Sequence, residues 1–99
     1  MPYAVKYSPE TVQHMKALTA RQRTSALDGV DEQLRDQPTV ETKNRKPMRA
    51  NALAPWELRI GDLRVYYDVQ ETPEREVLIR AIGVKERNQV RIANKVVKL

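Results

Sequence analysis

Trp56-Glu57-Leu58-Arg59-Ile60-Gly61-Asp62-Leu63-Arg64-Val65-Tyr66-Tyr67-Asp68-Val69 decides the fold. It reads as a β-hairpin, with Gly61-Asp62 as a two-residue turn and glycine at the first position, as a type II′ turn requires. Ile60 then lies opposite Leu63, Arg59 opposite Arg64, Leu58 opposite Val65 and Glu57 opposite Tyr66. Directly opposite residues share a face, and faces alternate along each strand. Trp56, Leu58, Ile60, Leu63, Val65 and Tyr67 therefore form a core face. Glu57, Arg59, Arg64 and Tyr66 form the other.

Two like charges directly opposite destabilise a hairpin, and the sequence admits two explanations. In one, Glu57 and Asp68 neutralise the arginines on an ordinary solvated face. In the other, the arginines await an anion such as RNA phosphate, which the planar guanidinium fork binds well.

Working outward, 99 residues make one domain, taken as residues 1–99. Eighteen Lys+Arg stand against thirteen Asp+Glu, a net charge of +5, which favours polyanionic partners, nucleic acid before membrane. With no cysteine, disulfides, thiolate catalysis and cysteine-based metal sites are excluded. The single histidine, His14, cannot build a zinc site alone; it is placed on the exposed side of a helix with no role. No metal or cofactor is expected. An apolar signal segment and a membrane-spanning run are both absent from the sequence, so a cytoplasmic location is expected.

Tyr3 to Tyr7 alternates with period two and reads as a strand. Ser8-Pro9 offers a helix start, serine as N-cap and proline in the first turn. Val12, Met15 and Leu18 give that helix an apolar stripe. Thr19-Ala20-Arg21-Gln22 has the pattern of a capping box for a second helix. Its stripe is Ala26, Leu27, Val30 and Leu34, and Pro38 ends it near residues 35–37. Residues 39–54 are polar and basic, a surface loop with a short edge strand.

After the hairpin, residues 70–76 make a charged turn, and Val77 to Val84 is a nearly continuous apolar strand suited to the middle of a sheet. The tail from Val90 fits a helix by the spacing of Val90, Ala93 and Val97. The β-branched alternation about Asn94-Lys95 favours a small hairpin instead. The order is strand, two helices, then antiparallel strands: an α+β domain with the helical hairpin on one face of a small twisted sheet.

This order and length resemble the RelE/ParE superfamily of toxins from bacterial type II toxin–antitoxin pairs. Residues 55–69 look like that family's aromatic-x-hydrophobic-basic strand, turn and Arg-hydrophobic-hydrophobic-Tyr strand. Ile82-Gly83-Val84-Lys85-Glu86-Arg87-Asn88 resembles its closing Gly-Lys-Arg-type segment. The resemblance implies a RelE-like fold and, for its RNase branch, metal-independent cleavage of mRNA in the ribosomal A site, hence inhibition of translation. It also implies a cognate antitoxin partner, an acidic segment that folds on the basic surface, with the complex sitting on operator DNA through the antitoxin. Two alternatives share the fold: a gyrase-binding inhibitor of the ParE kind, and an inactive relative that only binds an antitoxin.

Matched position by position, the family's basic residues fall on Arg59, Arg64 and Lys85, with Arg87 nearby. Where the RNase branch often has lysine this chain has Glu57, and where that branch has a late tyrosine the nearest residue is Arg91. Arg59 and Arg64 are expected to stabilise phosphate charge in the transition state. Lys85 or Arg87 is expected to hold flanking phosphates or assist the leaving group, and Glu57 either acts as general base or merely screens the arginines. Lys43, Arg45, Lys46 and Arg49 either make sequence-independent backbone contacts with RNA, alongside Arg87 and Arg91, or form a solvated loop. Tyr66 either stacks on a base or packs under a loop.

Overall fold

The computed structural model describes residues 2–98. The chain runs β1 (Ala4–Tyr7), α1 (Glu10–Lys16), α2 (Ala20–Leu34), β2 (Arg45–Pro47), β3 (Trp56–Ile60), β4 (Leu63–Gln70), β5 (Glu76–Glu86), β6 (Gln89–Ile92) and β7 (Lys95–Val97). Strands β2 to β7 form one antiparallel path in sequence order, and β1 joins it parallel to β5. Consecutive strands need only short turns to pair antiparallel, whereas the parallel β1–β5 pair spans both helices and the first hairpin.

The β3–β4 register matches the expectation at every pair, from Trp56↔Tyr67 to Ile60↔Leu63. Its inner face packs against α2: Leu58, Val65 and Tyr67, with Ile79 and Ile82 of β5, are fully buried with Ala26, Val30 and Leu34. Each such leucine, isoleucine or valine contributes roughly 1.5–3 kcal/mol by leaving water. Trp56 stacks on Tyr67, ring centroids 6.1 Å apart, and the Tyr67 hydroxyl donates to the Pro38 carbonyl at 2.6 Å, fastening the chain after α2 to the sheet.

The capping box forms as expected, Thr19 Oγ1 accepting from Gln22 N and Thr19 N donating to Gln22 Oε1. The helix stripes are partly displaced. Val12 and Leu27 are 56% and 41% exposed, while Thr11 is buried. Helix α1 docks through residues 11, 14 and 15, with Leu18 just past its end, so Met15 and Leu18 keep their expected places and Thr11 takes that of Val12. Ser8 is not a side-chain cap: Pro9 occupies that position, and the Ser8 hydroxyl donates to Arg80 O at 3.3 Å.

That contact belongs to a gap in the sheet. One edge of β5 pairs with β1 at residues 76–79 and with β6 at residues 84–86, which leaves the stretch between them without a strand. Helix α1 fills it. His14 Nδ1 accepts from Ile82 N at 3.3 Å, so the histidine is half-buried and structural, not a free exposed side chain. On the opposite edge, Tyr66 pairs with Ala81 and Tyr67 with Ile79, making Arg80 a bulge that re-aims the strand.

The tail is a hairpin, as expected. Its turn falls one residue early, on Ala93-Asn94, both at positive φ (52° and 65°). Because β6 and β7 fold back over the sheet, the face away from the helices carries a second small core. Tyr66, Ala81, Ile92 and Ala54 are its buried centre, with Met48, Leu53, Val90 and Val97 around them.

Candidate functional site

Gly61 sets the geometry. It lies at φ 57° while Asp62 does not share the positive sign, the pattern of a type II′ turn, whose twist matches the flanking strands. The turn brings Arg59 and Arg64 directly opposite one another. The main-chain N–H of Lys85 donates to Asp62 O at 2.7 Å, drawing the end of β5 against the turn. Arg64 stands opposite Gly83, where an added Cβ would lie 2.5 Å from Arg91 O and 2.8 Å from Ile92 Cγ1. Glycine is required there for β6 to lie so close to β5.

Together these elements enclose an open groove of about 600 Å³ on the sheet face away from the helices. Glu57, Arg59, Arg64 and Lys85, the four residues expected to carry chemistry, all line it. Four cations, Arg59, Arg64, Lys85 and Lys98, face one carboxylate. Lys98 and the amides of Asn88 and Gln89 were not anticipated; alternation in the tail was their only signal, and it did not fix which strand lay beside them.

Neutralisation of the paired arginines is half realised. Arg59 Nε bonds Glu57 Oε1 at 2.8 Å, with the Glu57 side chain only 12% exposed. Asp68 takes no part: its carboxylate accepts from Val69 N at 2.8 Å. Among the described residues Arg64 has no ion pair. Its Nη1 donates to Gly61 O at 2.7 Å and Leu63 O at 2.9 Å, which steadies the guanidinium without neutralising it. Unneutralised cations held in fixed positions suit an anionic ligand.

Tyr66 lies on the arginine face, as its parity required, but beneath the second core and fully buried. It cannot stack on a base there. Its hydroxyl has no hydrogen-bond partner, an omission that typically costs about 1–3 kcal/mol. Burial foremost, then the charge of the nearby Glu57 carboxylate and its close approach to the hydroxyl, which stops short of a well-formed hydrogen bond, hold this phenol protonated well above the usual tyrosine range.

The remaining basic residues separate. Arg45 is buried, its Nε on Val40 O at 2.9 Å and its Nη1 on Gln33 O and Oε1 at 2.9 and 3.0 Å, so it joins the loop to α2 instead of facing solvent. Lys46 is in register with Glu57 and ion-paired with Glu41 at 3.5 Å. Lys43 and Arg49 are exposed on the flanking loop, and Arg87 is exposed at the β5–β6 turn with φ 57°. Arg91 pairs with Val84, which sends it to the helix side of the sheet, where it meets Glu86 at 3.4 Å. It is therefore separated from the groove.

No family model matches the sequence, and no curated protein matches it. The fold does match a chain in the crystal structure of the toxin–antitoxin complex RelBE2 from Mycobacterium tuberculosis, at 19% sequence identity and a TM-score of 0.73. The match covers 86% of this chain and 100% of that one. The architecture expected from the sequence is thereby established: this chain has a RelE-like α+β fold.

Proposed function

We propose that this protein is the toxin of a type II toxin–antitoxin pair and an endoribonuclease that cuts mRNA on the ribosome. One observation carries the reading: the hairpin turn, the β5 terminus and the tail hairpin bring Glu57, Arg59, Arg64 and Lys85 into a single cationic groove. In this reading Glu57 takes the proton of a ribose 2′-hydroxyl, whose oxygen attacks the adjacent phosphorus. The bond to the 5′-oxygen breaks, Lys85 supplies the proton that oxygen needs, and a 2′,3′-cyclic phosphate and a 5′-hydroxyl remain. Arg64 and Arg59 stabilise the additional negative charge on phosphorus in the transition state, where pre-placed donors are most effective.

Lys43, Lys46, Arg49 and Arg87 lie outside the groove lining, on the loop, the edge strand and the β5–β6 turn, and are the residues assigned to sequence-independent phosphate contacts. A cognate antitoxin would silence the enzyme by laying an acidic segment over the same cations, and it would link the pair to operator DNA. Among the described residues no helix is long and apolar enough to cross a membrane, and a ribosomal substrate places the work in the cytoplasm. Purified protein added to ribosomes paused on a defined mRNA tests the reading by primer extension. Cleavage within the A-site codon by wild type, abolished in Arg64→Ala, is the expected result; intact mRNA with both proteins would contradict it.

A further inference from the structure

The Tyr66 hydroxyl is the one buried side-chain polar atom without a partner among the described residues. The Glu57 carboxylate already lies near enough to bear on this phenol, but without a well-formed hydrogen bond. Tyr66 is the cross-strand neighbour of Glu57, and the side chains buried around it, Ala54, Ala81 and Ile92, offer no side-chain acceptor. Glu57 meanwhile gives one oxygen to Arg59 Nε. A phosphate arriving in the groove competes for that same guanidinium and repels the carboxylate.

We propose that Tyr66 is a positioning residue for Glu57. When an anion draws Arg59 away, the carboxylate turns to accept a hydrogen bond from the Tyr66 hydroxyl, which holds it beside the ligand. The unpartnered hydroxyl is then a seat kept for the ligand-bound state. A phenol that stays protonated can only donate to a carboxylate, which fits this assignment. The benefit to catalysis rests on the nuclease reading, because it supposes that Glu57 acts as base; the movement itself does not.

The test uses full-length protein labelled with carbon-13 at tyrosine Cζ, the Tyr66 resonance assigned with Tyr66→Phe, and inorganic phosphate as probe. Phosphate should shift the Tyr66 resonance downfield. Arg59→Ala should show that shifted position before any phosphate is added, because its Glu57 is already released. Glu57→Ala should abolish both effects. A Tyr66 resonance that is the same in wild type and Arg59→Ala, and indifferent to phosphate, overturns the proposal.

In the ribosome assay, Tyr66→Phe should lower kcat about tenfold with KM unchanged, the scale of one lost hydrogen bond. An unchanged kcat also counts against the proposal. Wild-type protein that cleaves nothing would remove the nuclease reading, and the resonance of Arg59→Ala would still decide the movement.

Discussion

Arg59 and Arg64 face each other across the β3–β4 hairpin, yet only Arg59 has a carboxylate, Glu57 at 2.8 Å. The hairpin thus retains a like-charge pair that its own side chains do not fully neutralise. Anions should relieve it. At equal ionic strength, phosphate in place of chloride should raise the thermal midpoint of wild type, and at ten times its dissociation constant the gain is about 1.4 kcal/mol. Arg64→Ala should lose most of that increment while its stability without phosphate stays within about 0.5 kcal/mol of wild type. Differential scanning fluorimetry in the two salts measures both.

Arg45 should behave as a structural residue. Its guanidinium satisfies the Val40 and Gln33 carbonyls from a buried position. Arg45→Ala should cost about 2–4 kcal/mol in urea unfolding, the range for losing hydrogen bonds to a charged group. Lys43→Ala, two residues before Arg45 and exposed, should change stability by less than about 0.5 kcal/mol. Equal, small effects from the two would contradict this placement.

Gly83→Ala should loosen the tail hairpin. The new methyl would press on the Arg91 carbonyl at 2.5 Å, and backbone cannot yield as a side-chain tip does. A loss of about 1–3 kcal/mol is expected, with faster amide hydrogen exchange concentrated in β6 and β7. Because those strands supply Gln89 to the groove and carry Lys98 just past their end, phosphate affinity should fall in parallel.

His14 makes stability pH-dependent. Its Nδ1 must be unprotonated to accept from Ile82 N–H, and burial lowers its pKa below the usual 6.5, against a smaller opposing effect of Glu10. The folded state therefore holds this proton less tightly than the unfolded chain does. The stabilisation is fully present above about pH 6.5 and is lost as pH falls through that value to the lower folded pKa. Urea midpoints between pH 7.5 and 5 should decline in wild type and decline less in His14→Gln. Parallel declines would assign the effect to other groups.

The hairpin was legible because turn chemistry and a period-two pattern agree on a single register: Gly61 fixes the turn, and a slip by one residue would send Leu58 and Val65 to solvent. The same parity brought Glu57, Arg59 and Arg64 onto one face correctly. What it could not show is what covers that face. Tyr66 became buried because the loop before β3 and the tail hairpin fold over it, a long-range event without a local signal. Arg45 was read as surface because charge usually is; its burial depends on carbonyls of α2 and the following loop. Arg91 went to the helix side because β6 takes its register from Val84, and the ambiguous tail concealed that pairing. Val12 and Leu27 show the limit of stripe counting in helices, where a rotation by one residue exchanges Val12 for Thr11.

The most direct test of the cationic groove as a ribosome-dependent nuclease site is to map mRNA 5′ ends within minutes of inducing the protein in a bacterial host without its antitoxin. New ends at a fixed position within codons, lost in Arg64→Ala expressed at equal level, are the predicted result. Growth arrest with no new ends, or ends that persist in Arg64→Ala, would contradict it.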